Sequence, residues 1–140
     1  MLRIILDTNF LFIPFSMKVD IFKEIERIIL EPYELCILEG SIRELNNIIA
    51  KTSGKERDNA RLALLLIKKK GIKIISPPDK QKSLYTADNS QELIHLDTAI
   101  VEAADAETIV ATQDRGLKRL LKEKGISVIV LREKQYLELI

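Results

Sequence analysis

The opening residues, MLRIILDTNFLFIPF, set Asp7-Thr8-Asn9 between two apolar runs, Leu2 to Leu6 and Phe10 to Ile13. Burying an ionised carboxylate without a partner is costly. Asp7 must therefore be neutralised, or lie where the interior opens to solvent. Three further acids, Glu44, Asp97 and Asp114, also follow apolar, strand-like runs. Carboxylates gathered in one place raise one another's pKa or need a cation. Magnesium and manganese prefer oxygen ligands. Such an ion polarises water and stabilises in-line displacement at phosphorus. The chain has a single cysteine, Cys36, and a single histidine, His95, so it lacks the donors of cysteine-based or multi-histidine sites. Acids without those donors point to a hard cation and phosphate chemistry.

The elements that must position these acids are legible in the hydropathy pattern. Leu2 to Leu6, Glu34 to Leu38, Ile72 to Ile75, Thr108 to Thr112 and Ile126 to Leu131 read as five strands. Between them, apolar residues recur at helical spacing. Ile21 to Ile29 is one such stretch, closed by Pro32. A second helix starts at Gly40-Ser41, with Ile42, Leu45 and Ile49 on one face. A third runs from about Lys55 to Lys70, a fourth from about Asp97 to Ala106, and a fifth passes through Leu117, Leu120 and Leu121. Ser76 to Ser90, with Pro77-Pro78, reads as a loop. Alternating strands and helices imply an α/β fold: a parallel sheet with helices on both faces. Active sites in such sheets form outside the carboxyl ends of the strands. Asp7 and Asp114 follow the first and fourth strands, Glu44 falls in the first turn after the second, and Asp97 lies at or near a helix start after the third. All four are thus expected on one sheet edge, with Asp7 on the floor of a cleft.

The 140 residues suit one domain, 1–140. With 46% hydrophobic and 31% charged residues, the chain reads as globular. No apolar run approaches a membrane span, and Asp7 interrupts any signal-peptide core, so a cytoplasmic protein without a membrane partner is expected. A net charge of +1 announces no global basic field, but the charge is uneven. Lys51 to Lys73 carries eight basic residues, among them Lys55, Arg57 and Arg61, against the acids Glu56 and Asp58. Glu92 to Glu107 carries five acids and no lysine or arginine. A solvated helix face explains many basic runs. A basic rim beside an acidic cleft also suits drawing phosphates past carboxylates.

Each acid also has an ordinary structural role open to it. Asp7 could cap a turn. Ser41-x-x-Glu44 matches a capping box. Asp97 could cap a helix, and Asp114 could be the N-cap before Arg115 to Lys124. His95 stands two residues before Asp97, but a lone histidine more often does nothing chemical. The joint placement of the four acids carries the argument for a site.

Four pieces in order, Asp7-Thr8-Asn9, Ser41-x-x-Glu44-Leu45, Asp97-x-x-Ile100 and Thr112-x-Asp114, resemble the motifs of the PIN-domain ribonuclease family over nearly the whole chain. IILDTNFLFIPF, the GKxxxxAR stretch from Gly54 to Arg61, and IVATQDRGLKR most resemble its rRNA-processing branch, related to small-subunit processome nucleases. The resemblance implies a three-layer α/β/α fold with a five-stranded, mainly parallel sheet. It implies a Mg2+- or Mn2+-dependent endonuclease acting on RNA, here an rRNA precursor. Asp7, Glu44, Asp97 and Asp114 would form the metal site, with Asn9 and Thr112 orienting these acids or the water at the metal. That branch often has paired aspartates where Asp97-Thr98 stands, asparagine at Gln113 and an acid at Gly116, so a second metal is less supported than the first. Two other functions stay open: a VapC-type toxin ribonuclease with an antitoxin partner, and a non-catalytic PIN-like module for RNA binding or ribosome assembly. Leu131 to Ile140 is free to pair with another chain, which would give a homo-oligomer.

Overall fold

Strand β1, Leu2–Leu6, is the centre of the molecule. Its side chains alternate as a strand's must. Ile4 and Leu6 enter one hydrophobic cluster and Ile5 enters another, and all three are fully buried. The structure is a computed structural model. It describes the backbone of residues 1–76 and 89–140 and the side chains of 1–76 and 96–140.

After β1 the chain makes a 3-10 turn, Thr8–Phe12, and the short helix α1, Ile13–Ser16. There follow α2 (Ile21–Ile28), β2 (Tyr33–Leu38), α3 (Glu39–Lys51), α4 (Gly54–Lys69) and β3 (Lys73–Ile75). Beyond residue 88 come α5 (Asn89–Ala103), β4 (Thr108–Ala111), α6 (Arg115–Glu123), β5 (Ser127–Arg132) and β6 (Tyr136–Leu139). The strands form one sheet in the order β3-β2-β1-β4-β5-β6. All neighbours are parallel except β5 and β6. One core cluster holds Ile25 of α2, Leu45 of α3, and Ala60, Ala63 and Ile67 of α4. The other holds Leu96 and Ile100 of α5 and Leu117 and Leu121 of α6. Helices therefore cover both faces, the three-layer α/β/α arrangement expected.

The expected sheet gains a strand. The segment Leu131 to Ile140, considered free to pair with another chain, instead folds back on its own sheet as β6, with Arg132 opposite Tyr136 and Ile129 opposite Leu139. Helix α3 starts at Glu39, two residues before Ser41, with Leu38 as N-cap and no side-chain capping bond. Ser41 is thus a buried residue inside the helix, and Glu44 lies in its second turn. The capping-box role for Ser41 and Glu44 fails on this geometry. Helix α5 starts at Asn89, so Asp97 lies in mid-helix and caps nothing. The expected loop from Ser76 to Ser90 ends early for the same reason, and its residues 77–88 lie outside the described residues.

Candidate active site

The register of the sheet builds the floor of the site. Leu6 pairs with Ala111 at the carboxyl ends of β1 and β4. The next residues, Asp7 and Thr112, must then stand side by side. Asp7 N donates to Ala111 O at 3.0 Å, and Thr112 N donates to Ile129 O at 3.1 Å. Both side chains are buried, Asp7 at 7% exposure and Thr112 at 0%. The Thr112 hydroxyl donates to Asp7 Oδ2 at 2.7 Å, and Thr8 N donates to Asp7 Oδ1 at 2.8 Å. The buried carboxylate thus has a donor on each oxygen, which is how a buried charge is tolerated. Burial still pushes the Asp7 carboxyl above its ordinary value. The bonds from Thr112 and Thr8 pull it down, and the charge of Asp114 pushes it up again.

Thr112 also ties in the next acid. Its hydroxyl accepts from Asp114 N at 3.1 Å. Asp114 is the N-cap of α6, and its Oδ1 accepts from Leu117 N at 2.8 Å. The capping role considered for Asp114 is therefore real, and it fixes the exposed carboxylate beside the Asp7 floor. A Cβ at Gly116 would lie 3.3 Å from Asp114 Oδ1. A larger side chain there would press on that carboxylate.

Glu44 and Asp97 come from two helices that pack together, α3 and α5. Both side chains are half-buried. Burial raises the Glu44 carboxyl, the Thr8 hydroxyl lowers it, and the Asp7 charge raises it. Thr8 Oγ1 is itself buried and forms no hydrogen bond of ordinary geometry among the described residues. The Asp97 carboxyl is pushed up to about 6, first by burial and then by the charges of Asp7, Asp114 and Glu44. Asp7, Glu44 and Asp97 therefore each feel at least one other acid, and the charge of Asp114 acts on Asp7 and Asp97. As they stand, no three of them among the described residues enclose a point as a ready-made metal cage. The donor chemistry, oxygen only, fits a hard divalent cation.

Thr112→Val keeps the shape of the side chain and removes the hydroxyl shared by Asp7 and Asp114. It is expected to destabilise the fold by roughly 2 kcal/mol, the usual cost of leaving a buried charged group short of a bond. Thr112→Ser should keep most of that stability. Urea unfolding of the three proteins at neutral pH checks this.

Asn9, grouped with Thr112 as an orienting residue, is exposed and makes no side-chain hydrogen bond among the described residues. The side chain of His95 lies outside the described residues. Gln113, noted in the sequence only as a departure from the resembling branch, is a positioning residue. Its Oε1 accepts from Leu131 N at 2.7 Å and its Nε2 donates to Leu131 O at 3.4 Å. It pins the Thr112-x-Asp114 loop to the end of β5. Its place between two motif residues was the available signal.

The comparisons with known proteins agree with this architecture. A family model described as "PIN like domain" matches residues 4–134. The chain is 33% identical, over 99% of its length and 97% of the relative's, to "Ribonuclease VapC4" of Methanocaldococcus jannaschii. Among solved structures it resembles the PIN domain endonuclease Utp24, with a TM-score of 0.72, 19% identity, and coverage of 98% of this chain and 90% of that one. It also resembles VapBC2 from Rickettsia felis, solved bound to a DNA fragment from the promoter, with a TM-score of 0.61, 12% identity, and coverage of 94% and 100%. These two likenesses concern the fold. With the family model spanning nearly the whole chain and a full-length relative at one-third identity, the protein belongs to the PIN-like domain family.

Proposed function

We propose that the chain, acting as one domain over 1–140, is a Mg2+- or Mn2+-dependent endoribonuclease of the cytoplasm, with an rRNA precursor as substrate. The observation that carries this reading is the tie of Asp7 and Asp114 through the Thr112 hydroxyl at one sheet edge, with Glu44 and Asp97 on the packed helices α3 and α5. The ribonuclease name of the M. jannaschii relative supports the chemistry. The endonuclease Utp24 supports the fold on which it rests. Among the described residues no helix is long and apolar enough to cross a membrane.

The four acids would hold the cation, which supplies charge stabilisation as the phosphodiester is displaced. Asp7 is presented as an ionised ligand by Thr112 and Thr8 N. Asp97, with its carboxyl near 6, holds a proton more readily than an ordinary aspartate and gives it up as positive charge arrives. Asp114 is held by its capping bond, and Glu44 reaches the site from the second turn of α3. RNA is drawn in by basic side chains. Lys55 and Arg61 are exposed, while Arg57 is half-buried with its Nε unpartnered among the described residues. Replacing Lys55, Arg57 and Arg61 together with glutamine should weaken RNA binding about tenfold and lower its salt slope by about 2, from the ~0.7 expected per phosphate contact on a single strand. A binding titration across salt checks this, and an unchanged slope would assign the three to a solvated face.

A toxin function of the VapC type is the second reading, favoured by the 33% identity to a VapC ribonuclease. It would bring an antitoxin partner. Expression in a host without that partner separates the two readings, because a toxin arrests growth and an rRNA-processing enzyme does not. Sequencing of RNA ends after incubation with manganese and native RNA tests the reading as a whole. Discrete new ends in rRNA precursors support it. Ends confined to other RNAs favour the toxin, and no new ends favour the non-catalytic module.

A further inference from the structure

Two adjoining furrows of about 480 Å3 each open beside α2, sharing Lys18, Val19 and Asp20. Lys23 and Lys134 line the first, and Lys69 and Lys70 line the second. These lysines come from four separate stretches: the link before α2, α2 itself, the end of α4, and the turn between β5 and β6. All five are exposed, and none of their ammonium groups makes an ion pair or hydrogen bond with another described residue. The Lys70 ammonium lies 4.9 Å from the centroid of the Phe22 ring.

The two acids that line the furrows are already engaged. Asp20 Oδ1 accepts from Phe22 N and Lys23 N, each at 3.1 Å, as the N-cap of α2. Glu24 accepts from Arg27 at 2.9 and 3.0 Å and from Leu137 N at 2.9 Å. The lysine charge is therefore left for something outside the chain.

The backbone supplies a second observation. Lys18, Glu133 and Lys134 are the non-glycine residues with positive φ among those described, at 57°, 53° and 55°. Gln135 N donates to Arg132 O at 3.0 Å, closing the turn around Glu133-Lys134. Two consecutive positive φ values make a turn that favours Asn-Gly. A lysine at that place, and another at Lys18, run against local preference. Such departures cluster where a side chain is needed for function.

Lys134 of the first furrow follows β5, whose carboxyl end lies on the same sheet edge as those of β1 and β4. The β5–β6 turn leaves the carboxyl end of β5, where Gln113 ties down the Asp114 loop. Lys18 follows α1, which continues directly from the turn after Asp7.

We propose that Lys18, Lys23 and Lys134, continued by Lys69 and Lys70, form a phosphate track that holds an RNA strand beside the four acids. This rests on the ribonuclease reading and gives its substrate a path. The track is separate from the amino-terminal end of α4, because Lys55 and Lys69 stand about 21 Å apart along that helix at 1.5 Å per residue.

The test compares the wild type with a Lys18→Gln, Lys23→Gln, Lys134→Gly variant. A labelled single-stranded RNA is titrated in chelator across salt, and cleavage is measured separately in manganese. The track predicts binding weakened about tenfold or more and a salt slope lower by about 2, for three lost phosphate contacts. Lys134→Gly alone should raise the melting temperature, since glycine suits the turn, while lowering RNA affinity. Affinity and slope unchanged in the triple variant overturn the track and leave the furrows to an acidic protein surface, with the ribonuclease reading intact. A wild type that binds RNA in this salt-dependent way but cuts none in manganese sustains the track and defeats the ribonuclease reading.

Discussion

Asp7→Asn is expected to abolish cation-dependent RNA cleavage while leaving the protein folded. Asparagine has nearly the shape of aspartate. Its oxygen can still accept one of the two bonds, and its amide can donate to the Thr112 hydroxyl, which also accepts. What it lacks is the negative charge that a hard divalent cation needs. The expected loss is roughly a hundredfold to a thousandfold or more in rate, the range found when one preorganised electrostatic contact to a transition state is removed. The cation-free variant should melt no lower than the wild type, because a source of repulsion on Glu44 and Asp97 is gone. Cleavage in manganese, magnesium and chelator, with thermal melts alongside, checks both halves. If Asp7 merely capped its turn, the variant would cut at the wild-type rate.

The second large effect concerns pH. In the fold the Asp97 carboxyl lies at about 6 against an ordinary value of 3.8. Between those values the folded chain binds a proton that the unfolded chain does not. Stability therefore falls as pH rises from about 4 to about 6, and the loss is complete above that window. Two pKa units correspond to about 3 kcal/mol, and partial solvent access reduces this to roughly 1–2 kcal/mol. Burial raises Asp7 and Glu44 in the same direction. Asp97→Asn should flatten this dependence and raise the cation-free melting temperature near neutral pH by about 3–8 °C. Saturating manganese should reverse the order, stabilising the wild type more than the variant. Proton and cation compete for one carboxylate, so manganese affinity should climb as pH rises through about 6. Melting curves across pH, with and without manganese, read all of these. Equal slopes for both proteins would show that Asp97 is not the group being titrated.

Much of the site was legible because strand ends are legible. A run such as Leu2 to Leu6 that stops at Asp7, and another that stops at Thr112, announce both the strands and their carboxyl edge. Parallel register then does the rest, setting Asp7 beside Thr112. Helix starts were harder. Helix α3 begins without a capping side chain, so the Ser41-x-x-Glu44 pattern marked a start that the backbone ignores. Helix α5 begins in polar residues, Asn89-Ser90-Gln91-Glu92, that read equally well as loop. Strand β6 was hidden twice: Leu137 is its one buried residue, and Glu133-Lys134 does not look like a hairpin turn. The lysine furrows were invisible for a different reason. Lys69 and Lys70 belong to the basic stretch at the end of α4, but Lys18, Lys23 and Lys134 lie far from it in sequence, and only the packing around α2 brings them together.

The proposed cation site joins Asp7, Glu44, Asp97 and Asp114. Titration of manganese into the metal-free protein, followed by the electron paramagnetic resonance of free Mn2+, tests it most directly. Saturable binding by the wild type is predicted, with affinity lost in Asp7→Asn and weakened in Asp97→Asn, each variant melting normally. Binding that never saturates, or that survives unchanged in Asp7→Asn, would contradict the account.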